Sequence, residues 1–479
     1  MINKYIYKTD TNHRKVCGVD MVELAEKYGT PLYVLFEEII EENYKQYKTA
    51  LEKVYKDHLI CYAVKANTTF AVLKLLGEHG AGADVASEYE LQFTLDAGIP
   101  PEKIRANGNC KSEYYLEECI KNGIIINVDP EEELYIINEL SRELGINAKI
   151  NLRLAGFPLK HITSPAITTS SEWSKFGINV QRAKDVFQKV LRLENLIPNG
   201  LMVHLGSQIT DIGAYYLVLD ELLKLSADAH KIGFEVGEIN LGGGCGISYL
   251  GKDEWDAIKR KIANTGNANF TWADELIGYN CDKEWICEEL YCAFTPDVFI
   301  QKLFDEKYSA NANKTFKEKL VEIGRPKIVI EPGRSLVGNA GLTVVKVCHV
   351  GTTPTGQNIV HVDTGVNHHS LNIVMPEQLH RMEIANNIDG EEIFETFIAG
   401  NLCYTGDLLC RIKNTLNGKP ERGDYIILYD TGAYSDFFVS NTNSFPRPAK
   451  VLVSKAGKDR LLVKREDIRE VFHRDVDWK

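Results

Sequence analysis

Eight short apolar or β-branched runs, each followed by a stretch of helical period, constrain this chain's fold more than any other feature. They fall at 59–65 (LICYAVK), 81–85 (AGADV), 103–107 (KIRAN), 124–128 (IIINV), 148–154 (AKINLRL), 199–204 (NGLMVH), 238–241 (EINL) and 327–331 (KIVIE). Strands that alternate with helices pair in parallel, because each crossover helix carries the chain back to the same end of the sheet. Eight such units close into a (β/α)8 barrel; an open doubly wound sheet is the alternative. Between the runs lie amphipathic segments such as 130–144 (PEEELYIINELSREL). Asp129, Pro130 and the acidic residues at 131–133 predict a helix start there, since the N-terminal dipole favours carboxylates.

Beyond residue 340 the rhythm changes. Strand-like runs at 343–350, 358–363, 393–398, 425–430 and 450–454 are separated by turn signals rather than helices. A mainly antiparallel β domain is expected there, and 31–36 (PLYVLF) is expected to join it, bringing both ends of the chain into one domain. The predicted division is 1–36 as the N-terminal part of the β domain, 37–340 as barrel and 341–479 as the rest of the β domain. Residues 251–325 are too long for an ordinary βα connection and read as a helical insert in the barrel.

Composition narrows the partners. A chain of 479 residues, 44% hydrophobic and 25% charged, can bury a large core without disulfides. The net charge of −12 argues against nucleic acid. No apolar run approaches the roughly 18 residues that span a bilayer, and the opening MINKYIYKTDTNHRKV has no apolar secretory core. Eleven cysteines without a CxxC pair read as reduced thiols in a cytoplasmic protein. Cys281, Cys287 and Cys292 crowd together but lack a fourth ligand, so free thiols are expected rather than a metal site.

In a barrel, reactive groups gather at the C-terminal strand ends. Here those positions carry Lys65, Asp84, Asn107, Arg153, His204, the run Gly242-Gly243-Gly244, Glu331 and Arg334. A partly desolvated lysine such as Lys65 can form a Schiff base, although alone it also reads as a strand-end lysine reaching solvent. Glycines let backbone amides approach a phosphate, and Ser207 can add a hydroxyl; a tight turn is the plainer explanation. A carboxylate at Glu331 needs a cation: either a protonated pyridine nitrogen or the nearby Arg334. Schiff-base lysine, phosphate cradle and carboxylate together are what pyridoxal 5′-phosphate requires.

From Pro31 to Val453 the chain resembles the fold-type III pyridoxal-phosphate decarboxylases, the ornithine, diaminopimelate and arginine decarboxylase group, and within it the diaminopimelate branch. The resemblance rests on YAVKANTTFAVLKLL, GADVASEYEL, NGNCKS, SKFGI, HLGSQI, LGGGCGI, EPGRSLVGNAG, GNLCYTGD and GAYSDFFVSNTNSFPRPAKVLV. It implies that Lys65 holds the cofactor, His204 stacks on its ring and Glu331 keeps the ring nitrogen protonated. Asp84, Ser207, Gly242, Gly243, Gly244, Gly333, Arg334 and Tyr434 would line the cofactor, with Arg334 also touching substrate. Cys403 would reach in from a second subunit to protonate the product carbon, with Asp407 in the same segment, making a homodimer the active unit.

Two departures concern the substrate. The branch usually places a glutamate after the active-site cysteine, where this chain has Tyr404. It also carries an arginine and a tyrosine in a segment that reads here DTGVNHHSLNIVM, with Leu371 and Met375 about where those residues belong. The Asn367-His368-His369 stretch looks more like decarboxylases of siderophore and antibiotic pathways. His368 and His369 are either substrate contacts or exposed loop residues. The expected activity is decarboxylation of meso-diaminopimelate, with another diamino acid or a specialised-pathway amino acid as the alternative. Racemisation, with Tyr404 as second base, and a non-catalytic regulatory paralogue are weaker readings.

Overall fold

Strand His58–Ala63 (β1) pairs in parallel on both sides, with Gly82–Val85 (β2) and with Lys327–Ile330 (β8), and this second pairing closes the sheet. In the computed structural model, which describes residues 2–8, 12–159, 167–265, 270–274, 290–307, 313–375, 378–386 and 392–478, the circuit continues in chain order. It passes through Ile104–Ala106 (β3), Ile125–Val128 (β4), Ala148–Ala155 (β5), Leu196–Met202 (β6) and Glu238–Asn240 (β7). Every neighbour in it is parallel. All eight predicted runs are barrel strands, and the open sheet is excluded because β8 finds β1.

The chain divides into two compact units. The barrel unit comprises 41–246 and 292–336; the other comprises 1–40, 247–291 and 337–479. The 251–325 stretch is therefore shared between them. Leu250, Phe270 and Leu290 pack with Leu379, Cys410 and Ile412 in the second unit, while helices Pro296–Asp305 and Phe316–Glu322 belong to the first. Cys292 is buried; Cys281 and Cys287 lie outside the described residues.

Apolar layers normally fill such barrels, yet here Asn127, Asn151 and Asn240 are fully buried within strands. The predicted start at Asp129 differs from what forms. The helix runs Glu133–Leu144, because the Asp129 carboxylate is taken by Arg153 Nη1 at 2.7 Å and the Gly177 amide at 2.5 Å. A buried guanidinium outcompetes a cap.

In the second unit, strand Leu32–Phe36 lies between Gly341–Thr352, antiparallel, and Ala449–Val453, parallel. Its remaining pairs are antiparallel except that of Asn358–Val362 with Phe394–Ala399. Val345, Val347, Val360, Ile398, Ile426 and Leu428 form its core. Among the described residues no helix is long and apolar enough to cross a membrane.

Candidate active site

The barrel strands deliver their reactive side chains at one end. Lys65 sits one turn beyond β1, in the 3-10 segment Val64–Ala66. Its ammonium lies 2.5 Å from Asp84 Oδ2, with the lysine side chain 39% exposed. Asp84, on β2, is buried, and its other oxygen accepts from Asn107 Nδ2 at 2.6 Å. Lys65 is thus a tethered amine rather than a free solvent arm.

Glu331 follows β8 and is buried. Asn240 Nδ2 donates to its Oε1 at 2.7 Å and Asn107 Nδ2 to the same oxygen at 3.2 Å. Burial, then the neighbouring charge of Asp84, push its carboxyl up to about 7, against the pull of Lys65 and the two amides. The local Glu331–Arg334 pair left open by the sequence does not form. Arg334 instead directs Nε and Nη2 to Ser207 Oγ, at 3.2 and 3.0 Å. Gly333 precedes it in the turn after β8 and accepts from the Leu336 amide. A guanidinium beside a hydroxyl is a natural anion site.

His204 follows β6. Its Nδ1 accepts from the Gly243 amide at 3.1 Å, so the neutral ring carries its proton on Nε2. Desolvation, with the charges of Lys65 and Arg153, holds it well below the usual histidine range. The ring is therefore neutral.

The glycine run obeys backbone crowding. A Cβ on Gly243 would fall 2.3 Å from the Glu331 carbonyl oxygen, and one on Gly244, at φ +113°, would fall 2.8 Å from that of Gly206. The Gly242 amide donates to Asn240 Oδ1 and that of Gly243 to His204. Two of the three amides expected to face a phosphate are thus engaged inside the protein. Asn240 escaped sequence reading: the only signal was an asparagine in a buried strand position ahead of the glycines.

The remaining candidates lie in the second unit. Cys403 is exposed, its amide fixed by Asn443 Oδ1 at 2.8 Å, and Tyr404 is 55% exposed. Asp407 uses both carboxylate oxygens internally, accepting from the amides of Val366 at 2.8 Å and Leu402 at 2.7 Å. Tyr434 adopts φ +60° and packs with Met375 against Ile247, Tyr249 and Leu371.

His368 and His369 are not exposed: each is 1% accessible. Burial, with the charge of Arg465, brings His368 down to about 4, and burial holds His369 well below its ordinary value. Asn367 Nδ2 donates to His368 Nε2 at 3.0 Å, whereas both His369 ring nitrogens are buried without a hydrogen-bond partner.

Residues 37–276 match the family model described as pyridoxal-dependent decarboxylase, pyridoxal binding domain. The chain is 31% identical to a diaminopimelate decarboxylase of Aquifex aeolicus over 463 residues, covering 96% of this chain and 95% of that one. It is 32% identical to that of Methanocaldococcus jannaschii over 466 residues, covering 96% and 94%. A crystal structure of the M. jannaschii diaminopimelate decarboxylase in co-complex with L-lysine superposes with TM-score 0.80 at 30% identity, covering 99% of this chain and 98% of that one.

Proposed function

This chain belongs to the pyridoxal-dependent decarboxylase family, and we propose that it converts meso-diaminopimelate to lysine and carbon dioxide, as a cytoplasmic homodimer. It is a carboxy-lyase and its cofactor is pyridoxal 5′-phosphate. The residues fit that group. Lys65 offers an amine to the aldehyde, Arg334 and Ser207 an anion site, and Glu331 a carboxylate for the ring nitrogen. One observation carries the reading: Glu331 is buried among amides rather than beside a guanidinium, which suits a carboxylate that meets a cation supplied by its ligand.

Bound pyridoxal phosphate supplies an electron sink for the pair left behind by carbon dioxide. The chain's own groups do the rest. Lys65 Nζ would be the amine that holds the aldehyde, and Asp84 keeps it aligned. Glu331 retains the proton of the ring nitrogen. His204, neutral, offers its ring face without adding a charge. Arg334, Ser207 and Gly333 would hold the phosphate beside the side-chain-free turn of Gly242, Gly243 and Gly244, whose first two amides are already engaged. In this proposal Cys403 Sγ comes from a second subunit and protonates the product carbon. Asp407 ties its loop to the 366 backbone, and Tyr404 and the 367–369 stretch bear on the distal end of the substrate.

A second reading is favoured by the apolar surroundings of Leu371 and Met375. A diamino acid without a distal carboxylate would lose nothing there, whereas diaminopimelate would forgo a charge-assisted pair of about 1.5–3 kcal/mol. Carbon dioxide release from meso-diaminopimelate, lysine, ornithine and diaminobutyrate, assayed side by side, separates the two. Release from diaminopimelate alone is expected. Silence on it, with cofactor bound, transfers the assignment to whichever substrate responds.

A further inference from the structure

The reactive end of the barrel is joined to its interior by amides that all point one way. Arg105 grips Glu238 through Nε at 2.9 Å and Nη2 at 2.5 Å. A guanidinium does not titrate in proteins, so Glu238 remains an acceptor. Asn151 must therefore turn its NH2 towards Glu238 Oε1, at 2.9 Å, and it shares that NH2 with Asn127 Oδ1, also at 2.9 Å. Asn127 in turn donates to Asn107 Oδ1 at 2.9 Å. That leaves the Asn107 NH2 for two carboxylates, Asp84 at 2.6 Å and Glu331 at 3.2 Å. Flipping Asn107 would set its oxygen against both carboxylates and its NH2 against that of Asn127.

We propose that Asn107 is a positioning residue: oriented by this ladder, it keeps Glu331 anionic and so retains the proton on the cofactor's ring nitrogen. The proposal rests on the reading that Glu331 meets that nitrogen. A carboxylate that accepts amide hydrogens is a weaker base, so each donor shifts a shared proton away from it and towards the ring. Asn240 acts on the same oxygen, its own sense fixed by the Gly242 amide. The charged and titratable groups around Glu331 are Lys65 and Asp84, with Cys61 and Arg105 deeper in the barrel. Lys65 and Arg105 among them oppose its protonation, and the two amides add to that opposition.

The test is a nitrogen-15 spectrum of holoenzyme loaded with pyridoxal phosphate labelled at the ring nitrogen. The wild-type signal should be that of a protonated nitrogen. In Asn107→Ala it should move towards the unprotonated position, and cofactor affinity should fall about ten-fold, the loss of one hydrogen bond to a charged group. Asn127→Ala, which cuts the ladder one rung further off, should move it the same way by less. If Asn107→Ala does not hold cofactor, Asn127→Ala alone decides. A signal unmoved in every variant that binds cofactor overturns the proposal, even where melting temperature falls, because a merely structural asparagine would do only that. An unprotonated wild-type nitrogen instead removes the Glu331 reading on which the proposal stands.

Discussion

Polar side chains at the barrel's reactive end, some of them partly exposed, and the buried ones around residues 367–369 are satisfied differently. At the barrel, Lys65 meets Asp84, Arg334 meets Ser207, Glu331 has two amides and His204 one. In the second unit both His369 nitrogens, Asn367 Oδ1 and Ser435 Oγ are buried without hydrogen-bond partners. Each such group costs about 1–3 kcal/mol. Apart from Arg153 Nε, which is buried without a partner, the first region is held in shape by its own bonds, which is what preorganised chemistry demands. The second is held by the fold around it.

The contrast can be broken most sharply at Lys65. Lys65→Ala should abolish turnover and the borohydride-reducible, yellow linkage. Mixed with the equally inactive Cys403→Ala, it should regain part of the activity, since one site of a mixed dimer keeps both groups. A colourless wild type after reconstitution removes the role given to Lys65; no recovery despite demonstrated subunit exchange removes the cysteine in trans.

Glu331 gives the next largest effect. Its carboxyl lies at about 7 against an ordinary 4.5, so below pH 4.5 it is neutral in both states and costs nothing. As pH rises from 4.5 to 7 the unfolded chain ionises first and the folded protein loses stability, by about 3 kcal/mol in all. Cofactor-free Glu331→Gln should lose that part of the slope in urea unfolding followed across this range. An unchanged slope would show that the burial penalty is met by other means.

The smallest effect sharpens the contrast from the other side. His369→Leu replaces two unpaired nitrogens with apolar surface and should stabilise the protein by about 1 kcal/mol in denaturant unfolding. Destabilisation instead would mean that the ring's nitrogens find partners in solution, and the contrast would narrow.

All eight barrel strands were legible because each is a short apolar run bounded by a helical period. Strands Met382–Ile384 and Asn414–Leu416 were not; as short as two of the barrel strands, they have no helical stretch beside them to mark their ends. The start of helix Glu133–Leu144 was displaced by Arg153, a partner that local capping rules do not contain. Likewise the 251–325 stretch looked like one insert until Phe270 and Leu290 met Leu379 and Ile412. Within the site, lysine, carboxylate and arginine announced themselves by chemistry at strand ends. The duties of Asn107 and Asn240 did not, since a strand asparagine gains meaning only when several strands bring their side chains to one point.

Strand Leu32–Phe36, buried along its whole length between Gly341–Thr352 and Ala449–Val453, bears on how the protein is made. A ribosome adding roughly 5–20 residues per second releases these five residues on the order of half a minute before Ala449–Val453 exists. One edge waits for Gly341–Thr352 and the other for Ala449–Val453, and meanwhile an apolar edge is offered to any other nascent chain. Barrel strands β2 to β6 meet both neighbours within tens of residues; this strand waits, as does the edge of β1 that β8 covers. Shielding of this early edge by a chaperone is therefore expected to raise yield in a heterologous host.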